Sequence, residues 1–275
     1  MRKRTAETAA DSTDSETDSD RQFVTALHRG LEILRAFKPD DVNGLSNREL
    51  AARTDLPNST VSRLTYTLLK LGYLVYSDDT GRYRMGVPVL GLGYACLGGM
   101  RIRETAQPHM QRLADECGDG VLVALGGRDD MTMTYIACAR ASAGIVSLQL
   151  NVGSRISLAR SAMGRAYIAA CDPHEREQIL QRIHERSPAE HLPTILAGIE
   201  DAIAQVKERG FYCNAGEWQP DVNSVAVPYR PMHGDAPLLV FNLGGPAYIL
   251  SRDRLEKDLG PKLVQMRNTI ARISG

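Results

Sequence analysis

The sequence predicts an α+β fold in two parts: an N-terminal winged helix-turn-helix and a C-terminal domain with an antiparallel sheet and helices, joined by a linker helix. Three observations predict it. Residues 45–71 contain two helix starts separated by a turn, two short strand patterns follow, and from residue 104 onward strand patterns alternate with helical ones over hairpin-length connections. The chain has 275 residues, more than the roughly 100 to 200 of one domain, which allows two cores.

The two helices of the helix-turn-helix have separate start signals. Ser46 and Glu49 have the spacing of a capping box, so the first helix is predicted to begin at Ser46. Pro57 interrupts that helix, because proline disfavours helical geometry in the residue before it. Pro57 or Asn58 then opens the second helix. Its apolar residues recur on one face at Val61, Leu64, Leu68 and Leu71.

The opposite face of the second helix is polar, and this predicts DNA recognition. A helix with such a face in a major groove offers hydroxyl groups and a guanidinium to base edges and phosphates. The alternative is the solvated face of an ordinary amphipathic helix. Arg63 is the first candidate for a base contact. The predicted DNA-binding residues of the helix-turn-helix are Ser46, Asn58, Ser59, Thr60, Ser62, Arg63, Tyr66 and Lys70.

The neighbouring segments complete a winged helix. Residues 25–37 read as a third helix, with Leu27, Leu31 and Leu34 on one face. Residues 73–77 and 82–85 read as two strands around a turn at 78–81. In the second strand Arg82 and Arg84 lie two residues apart, so they project from one face and are predicted to reach phosphate or a minor groove; alternatively they only make an edge strand soluble.

The composition of the chain bears on its charge, its compartment and its possible metal or disulfide sites. Lys plus Arg and Asp plus Glu are equal at 33 each, but residues 21–86 hold ten basic and seven acidic residues, so the predicted DNA module is mildly basic. Residues 1–21 are polar and are predicted to be a disordered tail. The sequence contains neither an apolar stretch of about 18 residues nor the apolar core of a signal peptide, which predicts a cytoplasmic protein with no membrane partner. Five scattered cysteines without C-x-x-C spacing predict neither disulfides nor a metal site.

The rest of the chain divides into a linker and a second domain. We place the winged helix at 22–86, a linker helix at 87–103, and an effector-binding and oligomerisation domain at 104–275. The linker is rich in small residues, which predicts either a dimer contact or a hinge. Beyond the linker we predict helices at 105–117, 161–171, from Asp172, 194–209 and 251–273, the last with a break at Gly260-Pro261. Strands are predicted at 121–126, 131–138, 145–150, 211–214, 224–229 and 237–244. Turns are predicted at 127–130 and 141–144.

The motifs, in this order, resemble those of the IclR family of bacterial transcription regulators over nearly all of residues 22–273. The winged helix contributes ALHRGLEILRAF at 26–37, LSNRELAARTDLPNSTVSRLTYTLLKLGYL at 45–74 and GRYRMG at 81–86. The second half contributes NVGSRISLARSAMGRAYIAA at 151–170, RGFYCNAGEWQPDVNSVAVPY at 209–229 and LLVFNLGGPA at 238–247.

The resemblance implies a regulator that binds double-stranded promoter DNA as a homodimer or a dimer of dimers, needs no cofactor, and has an effector pocket on one face of the C-terminal sheet. By motif, Leu148, Ile156 and Met163 line its apolar side. Polar contacts come from Asn214, Ser224, Asn242 and the backbone of Gly244. Residues Ser161, Ala162, Met163 and Gly164 offer amides at a helix N-terminus, where a carboxylate binds well.

The predicted effector is a small organic acid. Arg160 brings a cation close to those amides, and SAMGR at 161–165 resembles family members that govern aromatic-acid catabolism. An aromatic or short aliphatic carboxylate is therefore expected, with an acyl thioester as the alternative. Arg160 instead pairs with a surface glutamate in the alternative interpretation. Trp218 either caps the pocket or lies at a subunit contact.

Two other functions compete with this prediction. In the first alternative, the second domain is an enzyme fused to a DNA anchor. In the second, it is a ligand-independent architectural unit that holds two winged helices at a fixed spacing. The sequence has no G-x-S-x-G, H-E-x-x-H or G-x-x-x-x-G-K-[ST] motif, so no catalytic residue is predicted. Cys213 beside Asn214 is the nearest candidate for a nucleophile. A filled pocket would favour the architectural alternative.

Overall fold

The computed structural model describes residues 23–141, 149–231 and 237–274. The predicted disordered tail therefore lies outside the described residues, and so does Leu148. The chain divides after Cys96 into an N-terminal and a C-terminal unit, and each has its own hydrophobic core.

The N-terminal unit is a winged helix-turn-helix, as predicted. Its elements are α1 (Thr25–Arg35), α2 (Asn47–Thr54), α3 (Asn58–Lys70), β1 (Leu74–Ser77) and β2 (Arg82–Met85). The two strands pair antiparallel across a turn in which Gly81 has a φ of 65°. A small core holds the elements together, formed by Ile33, Leu45, Leu50, Val61 and Leu74.

Two details of the predicted helix faces are wrong. The apolar stripe of α3 does not extend to Leu71, which caps the helix and has 61% of its surface exposed. The buried residues of α3 are Val61 and Thr65, one helical turn apart. On α1, Leu27 and Leu31 are exposed and Ile33 is buried instead. A domain with so small a core covers only part of each apolar stripe.

The predicted linker contains one complete helix and the start of the next. Helix α4 (Val87–Gly98) ends before Gly99, and α5 (Ile102–Cys117) begins inside the segment assigned to the linker. Most of α4 consists of apolar residues and glycines, yet none of its residues is buried. This helix therefore presents an apolar surface that the described part of the chain does not cover.

The C-terminal unit is built on one antiparallel sheet. Its strands are β3 (Leu122–Asp129), β4 (Thr132–Arg140), β5 (Arg155–Ser157), β6 (Tyr212–Ala215), β7 (Val222–Tyr229) and β8 (Leu239–Pro246), in the order β5-β4-β3-β8-β7-β6. One face packs against α5 and the C-terminal helix. The other face packs against α6 (Ala162–Ala170), α7 (Pro173–Arg186) and α8 (Leu192–Arg209).

Local caps lie at the predicted starts of α6 and α7 and at the predicted end of α8. The Ser161 hydroxyl accepts a hydrogen bond from the Gly164 amide at the start of α6, and the Asp172 carboxylate does the same for the Glu175 amide at the start of α7. Gly210 ends α8 with a φ of 81°, a conformation that glycine adopts without strain.

Strand predictions were less accurate. Residues 149–150, the described end of the strand predicted at 145–150, are not in a strand, whereas β5 was not predicted. Strands β3 and β4 extend to Asp129 and from Thr132, so the turn lies at 130–131 and not at 127–130. Asp130 occupies the left-handed region there, with a φ of 52°.

The C-terminal helix does not break at Gly260-Pro261. It comprises α9 (Arg252–Arg254), a π-helical segment (Leu255–Leu259) and α10 (Gly260–Ser274) without interruption. Proline has no backbone N–H to donate inside a helix. The wider π turn just before Pro261 accommodates this loss while the helix axis continues.

Candidate DNA interface and effector site

The first helix of the helix-turn-helix begins with the predicted capping box. The Ser46 amide donates to the Glu49 carboxylate at 2.8 Å, and the Glu49 amide donates to the Ser46 hydroxyl at 3.3 Å. Hydrogen bonds from Ser46, and then from Arg82, hold the pKa of Glu49 at about 2. The Ser46 hydroxyl, predicted to contact DNA, is engaged in this cap.

The outer face of α3 presents the predicted polar residues. Ser59, Arg63, Tyr66 and Lys70 are exposed, as is Asn58, while Thr60 is half-buried. The Lys70 ammonium lies 5.3 Å from the centre of the Tyr66 ring. Among the described residues, the Arg63 guanidinium has no hydrogen-bond or ion-pair partner, so it is available to an approaching nucleic acid.

Ser62 links α2 and α3 by a side-chain hydrogen bond. Its hydroxyl accepts a 2.6 Å hydrogen bond from the Asn47 side-chain amide and donates to the Asn58 carbonyl at 2.9 Å. Asn47 was not among the predicted site residues. Its partner lies 15 residues away, so only the packed structure reveals the pair.

The two arginines of the wing have different surroundings. Arg82 donates to the Gly44 carbonyl at 2.7 Å and pairs with Glu49 at 3.0 Å, which ties the wing to α2. Arg84 is exposed and has no partner in the described part of the chain. Of the two, Arg84 is therefore the arginine whose charge is free to meet a phosphate.

The predicted effector residues of the C-terminal unit meet on the sheet face that packs against α6. Asn214, Ser224 and Gly244 are directly opposite one another on β6, β7 and β8. Asn242 lies on the same face two residues before Gly244. A Cβ at Gly244 would stand 3.2 Å from the Ser224 Cβ and 3.5 Å from the Asn242 amide nitrogen, so these three residues form a compact polar patch.

The polar groups of this site differ in availability. Asn214 is fully engaged in local structure: its amide nitrogen donates to the Arg160 carbonyl at 3.0 Å, and its oxygen accepts from the Glu217 and Trp218 amides. Asn242 and Ser224 are only 5% and 7% exposed, yet within the described ranges their side chains form no hydrogen bond. Their polar atoms face α6 without a protein partner.

The apolar residues predicted for the site are closely packed. Ile156 on β5 and Ala162 and Met163 on α6 are buried. The Met163 sulfur lies against Gly126, where a Cβ would stand 2.5 Å from it. Gly164 is equally constrained, because its Cβ would meet the Leu158 backbone. The first turn of α6 is thus packed against β3 and against the segment between β5 and α6.

The sequence analysis missed the most buried cation of the unit, Arg165 on α6. Its Nε donates to the Ala159 carbonyl at 3.0 Å, and its Nη1 donates to the Tyr212 hydroxyl at 2.6 Å and to the Glu217 carboxylate at 2.5 Å. A side chain at Gly198 on α8 would overlap the guanidinium. The signal that could have identified Arg165 is its position as the one charged residue in the apolar stretch AMGRAYIAA.

Arg160, the cation that the sequence analysis did choose, is exposed. Its Nη2 lies 3.4 Å from the backbone carbonyl of Glu217, and its side chain forms no ion pair with a described residue. Trp218 is half-buried beside the apolar cluster under α6.

The buried thiols and the His, Cys, Asp and Glu side chains bear on the catalytic and metal-binding alternatives. Burial raises the pKa of the Cys213 thiol to about 12 and those of Cys117 and Cys138 to about 11, so all three are protonated at neutral pH. Across residues 23–141, 149–231 and 237–274, no group of three or more His, Cys, Asp or Glu side chains is placed to hold a metal ion. No helix within these ranges is long and apolar enough to cross a membrane.

Comparison with known proteins finds a matching domain family for each of the two units. The IclR helix-turn-helix domain matches residues 26–78, and the C-terminal domain of bacterial transcriptional regulator IclR matches residues 94–272. The HTH-type transcriptional regulator TsaQ1/TsaQ2 of Comamonas testosteroni is 31% identical over 250 residues, which cover 90% of this chain and 88% of that protein.

Solved structures share the fold. The crystal structure of an IclR family transcriptional regulator from Brucella abortus is 43% identical, with a TM-score of 0.85 over 96% of this chain and 97% of that one. An IclR homolog from Microbacterium hydrocarbonoxydans, complexed with 4-hydroxybenzoate, has 20% identity and a TM-score of 0.65 over 90% of this chain and 100% of its own, which shows a shared fold. The chain belongs to the IclR family of bacterial transcriptional regulators.

Proposed function

We propose that this regulator binds a small organic carboxylate between the first turn of α6 and the polar patch of Ser224, Asn242 and Gly244, and that the ligand changes its affinity for promoter DNA. One observation carries the proposal. The Asn242 and Ser224 side chains are nearly buried and form no hydrogen bond among the described residues. Neither residue contributes a fully enclosed atom without a partner, so their polar atoms keep some contact with solvent and are suited to the hydroxyl or carbonyl groups of a ligand.

The charge around this patch favours an anion. The amides of Ala162 and Met163 are in the first turn of α6, where no intrahelical acceptor is available, and the helix dipole adds positive potential there. Arg160 lies just outside that turn and Arg165 lies within the helix. An aromatic or short aliphatic carboxylate satisfies both the charge and the apolar surroundings of Met163.

In this proposal the winged helix at 22–86 binds DNA and the domain at 104–275 binds the effector. The linker at 87–103 connects these two domains. Arg63 on α3 reads a base edge and Arg84 contacts phosphate. The exposed apolar surface of α4 supports a dimer, because a second copy of this helix is the simplest cover for it. Two copies then present two recognition helices to half-sites about one DNA turn apart.

Thermal unfolding tests the effector site. The folded protein is heated with a panel of aromatic acids, short aliphatic carboxylates and their coenzyme A thioesters, beginning with 4-hydroxybenzoate. A ligand at a hundredfold excess over its Kd adds about 2.7 kcal/mol to the free energy of unfolding. We expect at least one carboxylate to raise the midpoint, and Asn242→Leu to weaken its binding by roughly tenfold or more, since one buried hydrogen bond is lost.

Asn268→Leu is the matched control, because Asn268 is an exposed asparagine on α10 of the same unit. It should leave the ligand effect unchanged. If no compound in the panel raises the midpoint of the wild type, the effector site is rejected and the ligand-independent architectural function replaces it.

A further inference from the structure

The Arg165 ion pair is unusual in its asymmetry. The Arg165 side chain is 2% exposed, whereas that of Glu217 is 39% exposed. Within the described ranges, Glu217 is the only carboxylate that pairs with this guanidinium. A buried cation needs a negative partner, but this partner can be approached from solvent.

Glu217 is attached in a way that leaves its side chain free to move. Its backbone is fixed, because its amide donates to the Asn214 side-chain oxygen at 3.2 Å and its carbonyl lies 3.4 Å from Arg160 Nη2. The carboxylate itself is bound to Arg165 Nη1. Rotation of the side chain would release the guanidinium without unfolding the turn between β6 and β7.

The guanidinium has donors to spare. Arg165 uses Nε and Nη1, and in the described part of the chain its Nη2 donates no hydrogen bond. The Tyr212 hydroxyl accepts from Nη1, so its own proton is available to an acceptor. Burial raises the pKa of Tyr212, which keeps that proton in place at neutral pH.

We propose that Arg165 anchors the carboxylate of the effector and that Glu217 is an internal counterion which the effector displaces. The inference rests on the proposed function and specifies how its ligand is held. The incoming carboxylate receives hydrogen bonds from Arg165 and from Tyr212 O–H, an arrangement of charge-assisted bonds that a neutral ligand cannot form equally well. Glu217, attached to the same turn as Trp218, swings toward solvent.

The chain provides its own probe for this exchange. Trp218 is the only tryptophan in the sequence and directly follows Glu217, so its emission reports on this turn. Glu217→Gln keeps the shape of the side chain and removes the competing charge. We expect 4-hydroxybenzoate to bind this variant at least tenfold more tightly than the wild type and to change Trp218 emission in the wild type, whereas 4-hydroxybenzamide does neither. Glu208→Gln on α8 is the charge-matched control and should behave as the wild type.

A second measurement does not depend on which effector is used. Glu217→Ala leaves Arg165 without its carboxylate, and acetate should then raise the unfolding midpoint of this variant by several degrees over chloride at equal ionic strength. Acetamide should have no effect on the variant, and acetate should raise the wild-type midpoint less than it raises that of the variant, because Glu217 competes for the same guanidinium in the wild type. Equal responses of variant and wild type to acetate overturn the assignment of Arg165 as anchor.

The two possible failures are distinguishable. If a carboxylate stabilises the wild type through Asn242 but binds Glu217→Gln no more tightly, the Arg165 anchor is wrong and the effector site stands. If no carboxylate stabilises the wild type, the proposed function itself is rejected, whatever acetate does to Glu217→Ala.

Discussion

Single residues of the same type have different roles in this protein, and their hydrogen bonds distinguish them. Arg82 is bound to Gly44 and Glu49 and holds the wing against α2, whereas Arg63 and Arg84 have no described partner. An unpaired exposed guanidinium loses little when it turns to a base or a phosphate. A paired one must first give up its carboxylate.

Substitution of Arg63 by alanine tests this distinction. If Arg63 reads a base edge, the loss should be about 1 to 3 kcal/mol and confined to one position of the operator. Arg84→Ala should instead weaken binding to all sequences about equally and reduce the salt slope by about 1. Binding isotherms on single-base operator variants at several salt concentrations measure both effects.

Arg29→Ala is the control for that series, because Arg29 is an exposed arginine on α1 and not on the recognition helix. It should leave the base preference unchanged. A uniform loss across all operator variants with Arg63→Ala would mean that this residue contacts phosphate and that the base is read by another side chain of α3.

At the scale of elements, helices were predicted well because their signals are local. Ser46, Ser161 and Asp172 each bond an amide three residues ahead, and Gly210 ends α8 through its own backbone conformation. The position of β5 is not local: its three residues are a strand only because they pair with Thr132–Thr134. The same limit applies to Arg165, whose partners lie 47 and 52 residues away.

The site could be predicted only in part for the same reason. The residues of the polar patch were identified by motif, and the alternation of the strands brings them to one face. That Asn214 is occupied by a turn while Asn242 is free depends on packing between distant segments. No pattern in the sequence separates these two asparagines.

Helix α4 gives the prediction that belongs to this scale. Leu90 and Tyr94 are four residues apart on one face, and they are 74% and 78% exposed. If this face is the dimer contact, Leu90→Glu with Tyr94→Glu should raise the dimer Kd by about a hundredfold or more, since each apolar side chain removed from water contributes about 1.5 to 3 kcal/mol. Sedimentation equilibrium over a range of concentrations gives the Kd.

Val42→Glu is the matched control, because Val42 is 75% exposed in the loop before α2 of the same unit. It should not alter the dimer. The Leu90→Glu, Tyr94→Glu variant should still fold and unfold cooperatively on heating, because no residue of α4 is buried in the chain. An unchanged dimer Kd would show that the contact between copies lies elsewhere.

At the scale of the whole molecule, the chain consists of two units with separate cores, and the proposed function gives each unit its own ligand. Such a protein regulates transcription only if the two binding events are linked. We expect the effector to favour one arrangement of the two units, and DNA to bind the two arrangements with different affinity. A coupling free energy of about 1 to 3 kcal/mol is typical of such linkage and corresponds to roughly 5- to 150-fold in affinity.

The coupling must be reciprocal. If the effector changes the Kd for DNA by a given factor, DNA must change the Kd for the effector by the same factor, because both describe one thermodynamic cycle. We therefore expect Trp218 emission titrations of 4-hydroxybenzoate, or of the first stabilising carboxylate, to shift when operator DNA is present. The shift should match the one seen in DNA binding with and without effector, whether the ligand releases the protein or recruits it. At effector concentrations near the wild-type Kd, Asn242→Leu should reduce the effect of the effector on DNA binding and leave DNA binding without ligand unchanged. Effector binding that is tight but identical with and without DNA would mean that the C-terminal unit does not control the winged helix. The idea that the effector favours one of two arrangements with different affinity for DNA would then be wrong.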